Sequence, residues 1–164
     1  MPFWDKSEKP KVAPINARSE DVLANPMFRQ SLQKRRCLVL ADGFYEWHRI
    51  DEKTKIPHFI HLRDGGPFFI AGIYELGGAA RPETYALLTT GPNALMESIH
   101  NRMPVILDDA GARRWLEPGD LAPDQLGSLC LPYPADRMGA HAVSSVVNIP
   151  RNDIPECVLA VGNP

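Results

Sequence analysis

The chain has 164 residues, which is enough for one domain with a hydrophobic core. Its formal net charge of −2 provides no global attraction for nucleic acid or for an anionic membrane, so a site for a polyanion must be a local basic patch. The sequence contains no run of about 18 apolar residues to span a membrane, and the amino terminus has no apolar signal core. Three widely separated cysteines predict neither a disulfide framework nor a zinc ribbon. These features favour a reducing, cytoplasmic setting.

The first half of the chain predicts an irregular start, helical segments and a β-hairpin. Residues 1–14 contain three prolines, and Ser19 is a candidate N-cap for helical segments that follow it up to residue 36. The apolar run 37–41 predicts a strand buried on both faces. Asp42-Gly43 is typical of a two-residue hairpin turn, so 44–49 is predicted to be the returning strand.

The second half predicts further short strands with helices inserted between them. Strands are predicted at 57–62, 67–74, 84–90, 103–107 and 141–147. Short helices are predicted at 94–99 with Asn93 as cap, at 110–117 with Asp108 or Asp109 as cap, and at 123–129. Sequence-adjacent strands favour antiparallel pairs, so the predicted class is α+β in one domain over residues 1–164.

One carboxylate stands among aromatic residues in the segment DGFYEWHR, residues 42–49. On a strand Glu46 shares one face with Phe44 and His48. Partial desolvation by these neighbours is expected to raise the pKa of Glu46, and a raised pKa suits a general acid or base near neutral pH. The alternative is a solvent-exposed Glu46 at the strand end, paired with Lys or Arg.

Asn16 and Arg18 are candidates for binding an anionic, oxygen-rich ligand. They alternate in the segment PINARSE, so in an extended conformation both side chains point the same way. The guanidinium offers a fork of donors that matches phosphate. The alternative is the start of a helix, with Ser19 as cap and Arg18 merely exposed.

Two other pairs carry possible chemistry. His100 and Arg102 follow a short predicted helix and precede an apolar strand, and the imidazole of His100 suits proton transfer. Its alternative is an ordinary surface or core histidine. Phe3 and Trp4 are adjacent aromatics near the chain start, which suit stacking on unpaired bases or, alternatively, packing on the domain.

Four segments occur together in the order and approximate spacing of one family. They are INARSE, RRCLVLADGFYEWHR, ALLTTGPNALMESIHNRMPVIL and AVSSVVN. On these segments the chain resembles the SOS response-associated peptidase (SRAP) domain family, from residue 1 to about residue 158. The combination of ADGFYEW with IHNRMP is highly specific.

The resemblance implies a function on damaged DNA. SRAP proteins shield abasic sites in single-stranded DNA by forming a covalent DNA–protein crosslink. Their nucleophile is an amino-terminal cysteine, exposed when the family's autopeptidase activity removes the initiator Met. Its amine forms a Schiff base with the sugar aldehyde, and its thiol closes a thiazolidine ring. The resemblance implies a partly open, mainly antiparallel barrel, no cofactor, and a cytoplasmic, nucleoid-associated protein.

The resemblance also implies roles for matching residues of this chain. Asn16 holds the opened sugar, and His100 protonates the ring oxygen as the sugar opens. Glu46 shuttles protons during amine attack and takes part in removing the initiator Met. The expected DNA contacts are Arg18 and Arg102 on phosphates and Phe3 with Trp4 at the lesion.

The chain departs from the family pattern at its start, where residue 2 is Pro rather than Cys. We expect that the nucleophilic cysteine and the first strands are missing, through a truncated reading frame or a start codon assigned too far downstream. Cys37, Cys130 and Cys157 cannot replace it, because none has a free α-amine. This chain is therefore expected to be inactive in crosslinking. An uncovered sheet edge would favour a homodimer or strand exchange.

Three other functions compete with this interpretation. The first is a non-catalytic module that binds single-stranded DNA. The second is a thiol peptidase with Cys37 and His100 as nucleophile and base. The third is a metal site built from His48, His58 and His61, although the sequence has no second acidic motif to complete it.

Overall fold

Two β-sheets and three short α-helices form the described part of the chain, which confirms the α+β class. The structure is a computed structural model that describes residues 14–78 and 82–162. The chain divides into two compact units, so the prediction of one domain over residues 1–164 stays a prediction. In residues 14–78 and 82–162, no helix is both long and apolar enough to cross a bilayer.

The elements are short, as the many prolines and glycines predict. The strands are β1 (Asn16–Arg18), β2 (Arg36–Ala41), β3 (Phe44–Arg49), β4 (Lys55–Leu62), β5 (Phe68–Glu75), β6 (Thr84–Thr90), β7 (Met103–Pro104), β8 (Ile106–Leu107) and β9 (Met138–Ala142). The α-helices are α1 (Pro26–Lys34), α2 (Asp109–Leu116) and α3 (Pro123–Leu129). Turns of 3₁₀ helix lie at Met96–Ser98, Ala135–Arg137, Ser145–Asn148 and Pro155–Cys157.

The first unit comprises Met1–Leu40, Phe69–Gly91 and Pro104–Tyr133 and holds most of a six-stranded sheet. The sheet order is β1-β6-β5-β2, with β7 beside β6 and β8 beside β5. The β5–β6 pair is antiparallel, as expected for sequence neighbours, whereas β1 lies parallel to β6. A parallel pair joins strands that are distant in sequence, so the local pattern contains no signal for it.

Trp115 of α2 anchors the core of the first unit. Its side chain is fully buried, and its indole Nε1 donates to the carbonyls of Cys37 and Gly72 at 3.0 and 3.2 Å. Gly72 allows this packing, since a Cβ there would lie 2.9 Å from the Cys37 sulfur. The guanidinium of Arg36 lies 5.9 Å from the Trp115 ring, so a cation–π contact covers the same side chain.

Helix α1 begins later than the sequence predicts. Asn25, not Ser19, is the N-cap, and its Oδ1 accepts a hydrogen bond from the Met27 N–H at 3.0 Å. The Ser19 N–H instead donates to the Thr89 carbonyl at 2.9 Å, which extends the β1–β6 ladder by one residue. Phe28 and Leu32, four residues apart, are both buried as the helical period requires.

The second unit comprises Ala41–Phe68, Pro92–Met103 and Pro134–Pro164, and its sheet has the order β3-β4-β9. Both pairs are antiparallel, and Glu46 lies directly opposite His58. The predicted strand 141–147 is displaced, because β9 ends at Ala142 and residues Ser145–Asn148 form a 3₁₀ turn capped by Ser144.

The predicted β2–β3 hairpin is wrong, because β2 pairs with β5 while β3 pairs with β4. Gly43 does not adopt the positive φ that a two-residue hairpin turn requires; the described glycines with positive φ are Gly65 and Gly119. The strand at 37–41 is also less buried than predicted, since Leu40 is 63% exposed.

A glycine is needed at position 43 because the Phe59 ring packs so close to the backbone that it leaves no space for a Cβ. A Cβ at this position would lie 2.1 Å from Cζ of Phe59 and 2.9 Å from the Ile60 carbonyl oxygen. The ring of Phe59 cannot turn away freely, since it contacts the rings of Tyr45 and His61 at 5.4 and 5.8 Å.

We therefore expect Gly43→Ala to lower the free energy of unfolding by about 1–3 kcal/mol, measured by urea denaturation. Gly127→Ala is the matched control, because Gly127 lies within α3 and a Cβ there has no neighbour within 4 Å. This control should raise stability by about 0.5–1 kcal/mol. Equal effects of the two substitutions would contradict the steric role of Gly43.

Candidate active site

Glu46 and His100 form an acid–imidazole pair in the second unit. Oε1 of Glu46 lies 3.6 Å from Nδ1 of His100, and their side chains are 24% and 41% exposed. Both groups are therefore accessible to a ligand and partly shielded from water. A carboxylate and an imidazole at this separation can share the work of proton transfer.

The position of Glu46 in the middle of β3 explains its electrostatics. Phe44 shares its face of the strand and packs edge-to-face on Phe68, with the ring centroids 6.4 Å apart. Burial raises the pKa of the Glu46 carboxyl, while the nearby His100 and the Trp47 backbone N–H oppose that rise. The direction is the one predicted from the sequence, and the partner is His100 rather than Lys or Arg.

The segment before His100 contains a 3₁₀ turn, Met96–Ser98, in place of the predicted helix 94–99, and its N-cap is Leu95 rather than Asn93. Asn93 still contacts this turn: its Oδ1 accepts from the Met96 N–H at 3.0 Å, and its amide Nδ2 contacts the Met138 sulfur at 3.2 Å. Met96 and Met138, the two residues that Asn93 contacts, are almost completely buried, so they hold the Asn93 side chain in place. The His100 N–H then donates to the Met96 carbonyl at 2.8 Å, which fixes the backbone that presents the imidazole.

The backbone of Arg102 offers Nδ1 of His100 a hydrogen-bond partner whether or not this nitrogen is protonated. This nitrogen lies 3.1 Å from the Arg102 carbonyl oxygen and 3.2 Å from the Arg102 backbone nitrogen. A protonated Nδ1 donates to the carbonyl, whereas an unprotonated Nδ1 accepts from the N–H. The nitrogen that faces Glu46 can thus gain or lose a proton without losing its backbone partner.

Two further imidazoles share the face of Glu46. His58 on β4 lies directly opposite Glu46, and the rings of His48 and His58 meet at 5.7 Å with an interplanar angle of 66°. The sequence suggests that two strands bring His48 and His58 near each other, but the position of His58 opposite Glu46 was not predicted, because β3 was paired with β2. Alternation within 55–62 puts His58 on one face of β4, and only the β3–β4 register places it opposite Glu46.

The hypothesis of a metal site built from three histidines is wrong. His61 lies on the opposite face of β4, where its ring stacks on Phe59 at 5.8 Å and contacts His141 at 5.4 Å. Within residues 14–78 and 82–162, no group of three or more His, Cys, Asp or Glu side chains is placed to hold a metal ion.

Asn16 and Arg18 lie on the first unit in the extended conformation. They flank Ala17, which is 1% exposed, and both side chains are exposed on the same side of β1. The alternative of a helix start is therefore wrong. That these two side chains join Glu46 and His100 around one ligand stays a prediction. Phe3 and Trp4 lie outside the described residues.

The described thiols are poor nucleophiles. Burial raises the pKa of the Cys37 thiol, and burial together with Glu20 raises the pKa of Cys130 to about 12. Cys157 is also buried, and its sulfur contacts the Asn152 carbonyl at 3.7 Å. Since the thiolate is the reactive form, the environment of Cys37 argues against the thiol peptidase hypothesis.

Glu46→Gln should separate the ionisation of Glu46 from its packing. A carboxyl whose pKa is raised by folding stabilises the protein most below its unfolded-state pKa, and that contribution disappears as pH rises through the folded-state pKa. Relative to the wild type, the amide variant should therefore gain stability between about pH 4 and pH 7, by no more than about 1 kcal/mol. Thermal unfolding across this range measures the difference.

Glu52→Gln is the control, because Glu52 is an exposed loop residue. Its stability relative to the wild type should stay nearly constant over the same pH range. A flat difference for Glu46→Gln as well would show that Glu46 is not desolvated on folding.

Sequence and structure both relate the chain to known proteins. The family model described as SOS response associated peptidase (SRAP) matches residues 1–150. The abasic site processing protein YoqW of Bacillus subtilis (strain 168) is 47% identical over 161 residues, which cover 96% of this chain and 72% of the relative. The abasic site processing protein HMCES of Xenopus tropicalis is 33% identical over 187 residues, which cover 98% of this chain and 55% of HMCES.

A solved structure supports the same grouping. The crystal structure of a protein from Bacteroides thetaiotaomicron superposes with a TM-score of 0.78 at 31% sequence identity. The match covers 89% of this chain and 65% of that protein. The chain therefore spans about two thirds of that structure and about half of the vertebrate relative.

Proposed function

Because the chain belongs to the SOS response-associated peptidase (SRAP) family, we propose that it recognises abasic sites in single-stranded DNA and that its site is built for their covalent processing. The observation that carries the proposal is the pair formed by Glu46 and His100, 3.6 Å apart, in which burial raises the pKa of the carboxyl. The names of its relatives as abasic site processing proteins support the choice of lesion.

The pair suits the proton transfers of Schiff-base chemistry. An abasic sugar opens to an aldehyde when its ring oxygen is protonated, and protonated His100 is the proposed donor. As an amine attacks the aldehyde carbon, Glu46 accepts the proton that the nitrogen loses. The resulting carbinolamine expels water to form the imine, and this step needs a proton returned to the departing hydroxyl.

The thiazolidine requires a cysteine whose amine and thiol are both free. The thiol adds to the imine carbon, the nitrogen takes up the proton, and a five-membered ring closes without further loss of atoms. In Cys37, Cys130 and Cys157 the nitrogen is part of a peptide bond, so these residues cannot form the ring. The same Glu46 is the proposed proton shuttle for autopeptidase removal of an initiator Met.

We assign the remaining candidate residues to binding the single-stranded DNA. Asn16 has an amide that suits the hydroxyls of the opened sugar, and Arg18 is exposed beside it for a phosphate. Arg102 is the second proposed phosphate contact, and Phe3 with Trp4 would stack at the lesion. Local contacts of this kind are compatible with a net charge of −2 and with a cytoplasmic, nucleoid-associated protein.

A non-catalytic module for single-stranded DNA is the second candidate function. It is favoured by one observation, that burial raises the pKa of the Cys37 and Cys130 thiols and so makes them poor nucleophiles. Such a module would bind intact and abasic strands equally, and Glu46→Gln would change neither affinity.

The decisive experiment combines binding with denaturing electrophoresis. The 164-residue chain should bind an oligonucleotide with one abasic site more tightly than the intact strand, yet give no adduct that survives denaturation. A chain extended to an amino-terminal Met-Cys start should give that adduct. In the extended chain, Glu46→Gln or His100→Gln should slow adduct formation by about 10²–10⁴-fold, because general acid–base catalysis is lost.

His141→Gln is the matched control, since its imidazole lies on the other face of the same sheet. It should leave the rate of adduct formation unchanged. A denaturation-resistant adduct from the 164-residue chain would refute the assigned cysteine chemistry, and equal binding of intact and abasic strands would favour the second function.

The edge of the larger sheet supports self-association. Among residues 14–78 and 82–162, strand β2 lies at the end of the order β1-β6-β5-β2, and its Leu40 is 63% exposed. An edge strand with exposed apolar side chains is a template for pairing with another chain. We therefore expect a homodimer or strand-exchanged dimer in sedimentation velocity at micromolar concentration, reduced by Leu40→Lys. A monomer at that concentration would contradict this expectation.

A further inference from the structure

The pair formed by His48 and His58 lies on the same strand face as the acid–imidazole site, but has no part in the proton transfers proposed above. Glu46 and His58 are directly opposed across β3 and β4, and the His48 ring contacts the His58 ring at 5.7 Å. On the far side of His58 the register partner is Ala142, which has no side chain beyond Cβ. Both imidazoles are half-buried, so a ligand can reach them.

Nδ1 of His58 hydrogen-bonds to the backbone, which leaves the other ring nitrogen, Nε2, as the one available to a ligand. Its Nδ1 lies 3.1 Å from the Ile56 carbonyl oxygen, an acceptor, so this nitrogen carries a proton. In the neutral ring, Nε2 then has a lone pair and repels an anion. In the protonated ring, Nε2–H becomes a charge-assisted donor.

Among residues 14–78 and 82–162, few charged or titratable side chains are placed by strand register or contact next to this pair. Glu46 and His48 face it from β3, and His100 approaches Glu46 from the segment after the 3₁₀ turn. The partners of His58 and Ile60 on β9 are alanines, and the turn Ser145–Asn148 that packs on β4 has no titratable side chain. With its imidazoles protonated, this face is cationic despite Glu46; with them neutral, the carboxylate leaves it anionic.

We infer that His48 and His58 form a phosphate-binding subsite beside the acid–imidazole pair, occupied by a phosphodiester of the bound strand when the imidazoles are protonated. The inference rests on the proposed function only in assigning the phosphate to DNA. The two rings would contact the phosphate oxygens, and Glu46 would remain free for proton transfer. The subsite makes strand binding tighter when these rings are protonated, because each then donates a charge-assisted hydrogen bond to a phosphate oxygen.

Binding to an oligonucleotide with a tetrahydrofuran abasic analogue tests the subsite without the aldehyde chemistry. Fluorescence anisotropy at about pH 6 and about pH 8 should show wild-type affinity roughly tenfold higher at the lower pH. His58→Phe keeps an aromatic ring but cannot be protonated, so it should lose most of that increase. It should also reduce the salt dependence of binding by about one phosphate contact.

His61→Phe is the matched control. His61 lies on the same strand and its Nδ1 contacts a backbone carbonyl, that of Leu62 at 2.7 Å, but its side chain is on the opposite face. This variant should retain the wild-type dependence on pH and salt. If His58→Phe also retains both, the subsite is refuted, although the proposed function would stand.

Inorganic phosphate provides a second readout that does not depend on DNA. In a histidine-resolved NMR titration near pH 6, phosphate should shift the Hε1 resonances of His48 and His58 and leave those of His61 and His141 in place. Such shifts in a protein that binds no single-stranded DNA would support the subsite and overturn the proposed function. Shifts of all four histidines alike, or of none, would overturn the subsite.

Discussion

The chemistry proposed for the site depends on one contact. The partly buried carboxylate of Glu46 has the imidazole of His100 as its partner, rather than the permanent positive charge of an arginine or lysine. Desolvation favours the protonated form of Glu46, while a protonated His100 at 3.6 Å favours the ionised form. An Arg or Lys in place of His100 would hold the carboxylate permanently ionised. An imidazole can either donate or accept a proton, and a partner of this kind is what the proposed proton shuttling needs.

The elements around the pair restrict its movement. Glu46 is fixed by the β3–β4 register, and the backbone of His100 is fixed by a turn whose contacts end on the buried methionines Met96 and Met138. Gly43 lets β3 start against the Phe59 ring, so the strand reaches its register without steric conflict. Catalytic groups held by regular elements and buried anchors keep their geometry better than groups on free loops.

Local features of this fold are predictable from the sequence, whereas the pairing of strands that are distant in sequence is not. The strand at 84–90, the helix at 123–129 and the cap Asp108 follow from short-range chemistry, and the structure confirms them. The prediction of a β2–β3 hairpin is wrong because Gly43 is needed for close packing against Phe59, not for the positive φ of a hairpin turn. With the wrong partner for β3, the position of His58 opposite Glu46 was not predictable, since cross-strand neighbours follow from register alone.

A carboxylate is an unfavourable neighbour for a phosphate anion, so the DNA contact proposed beside Glu46 requires positive charge nearby. The chain has a net charge of −2 and therefore lacks a general positive field that would offset repulsion between Glu46 and phosphates. The compensation must come from groups within a few ångströms, because longer-range attraction is screened by salt. The described groups on that face are imidazoles, His48 and His58 beside Glu46 and His100 as its ion-pair partner. Protonated imidazoles would supply positive charge beside Glu46, so the proposed strand binding and the proposed proton transfer would depend on the same group of side chains.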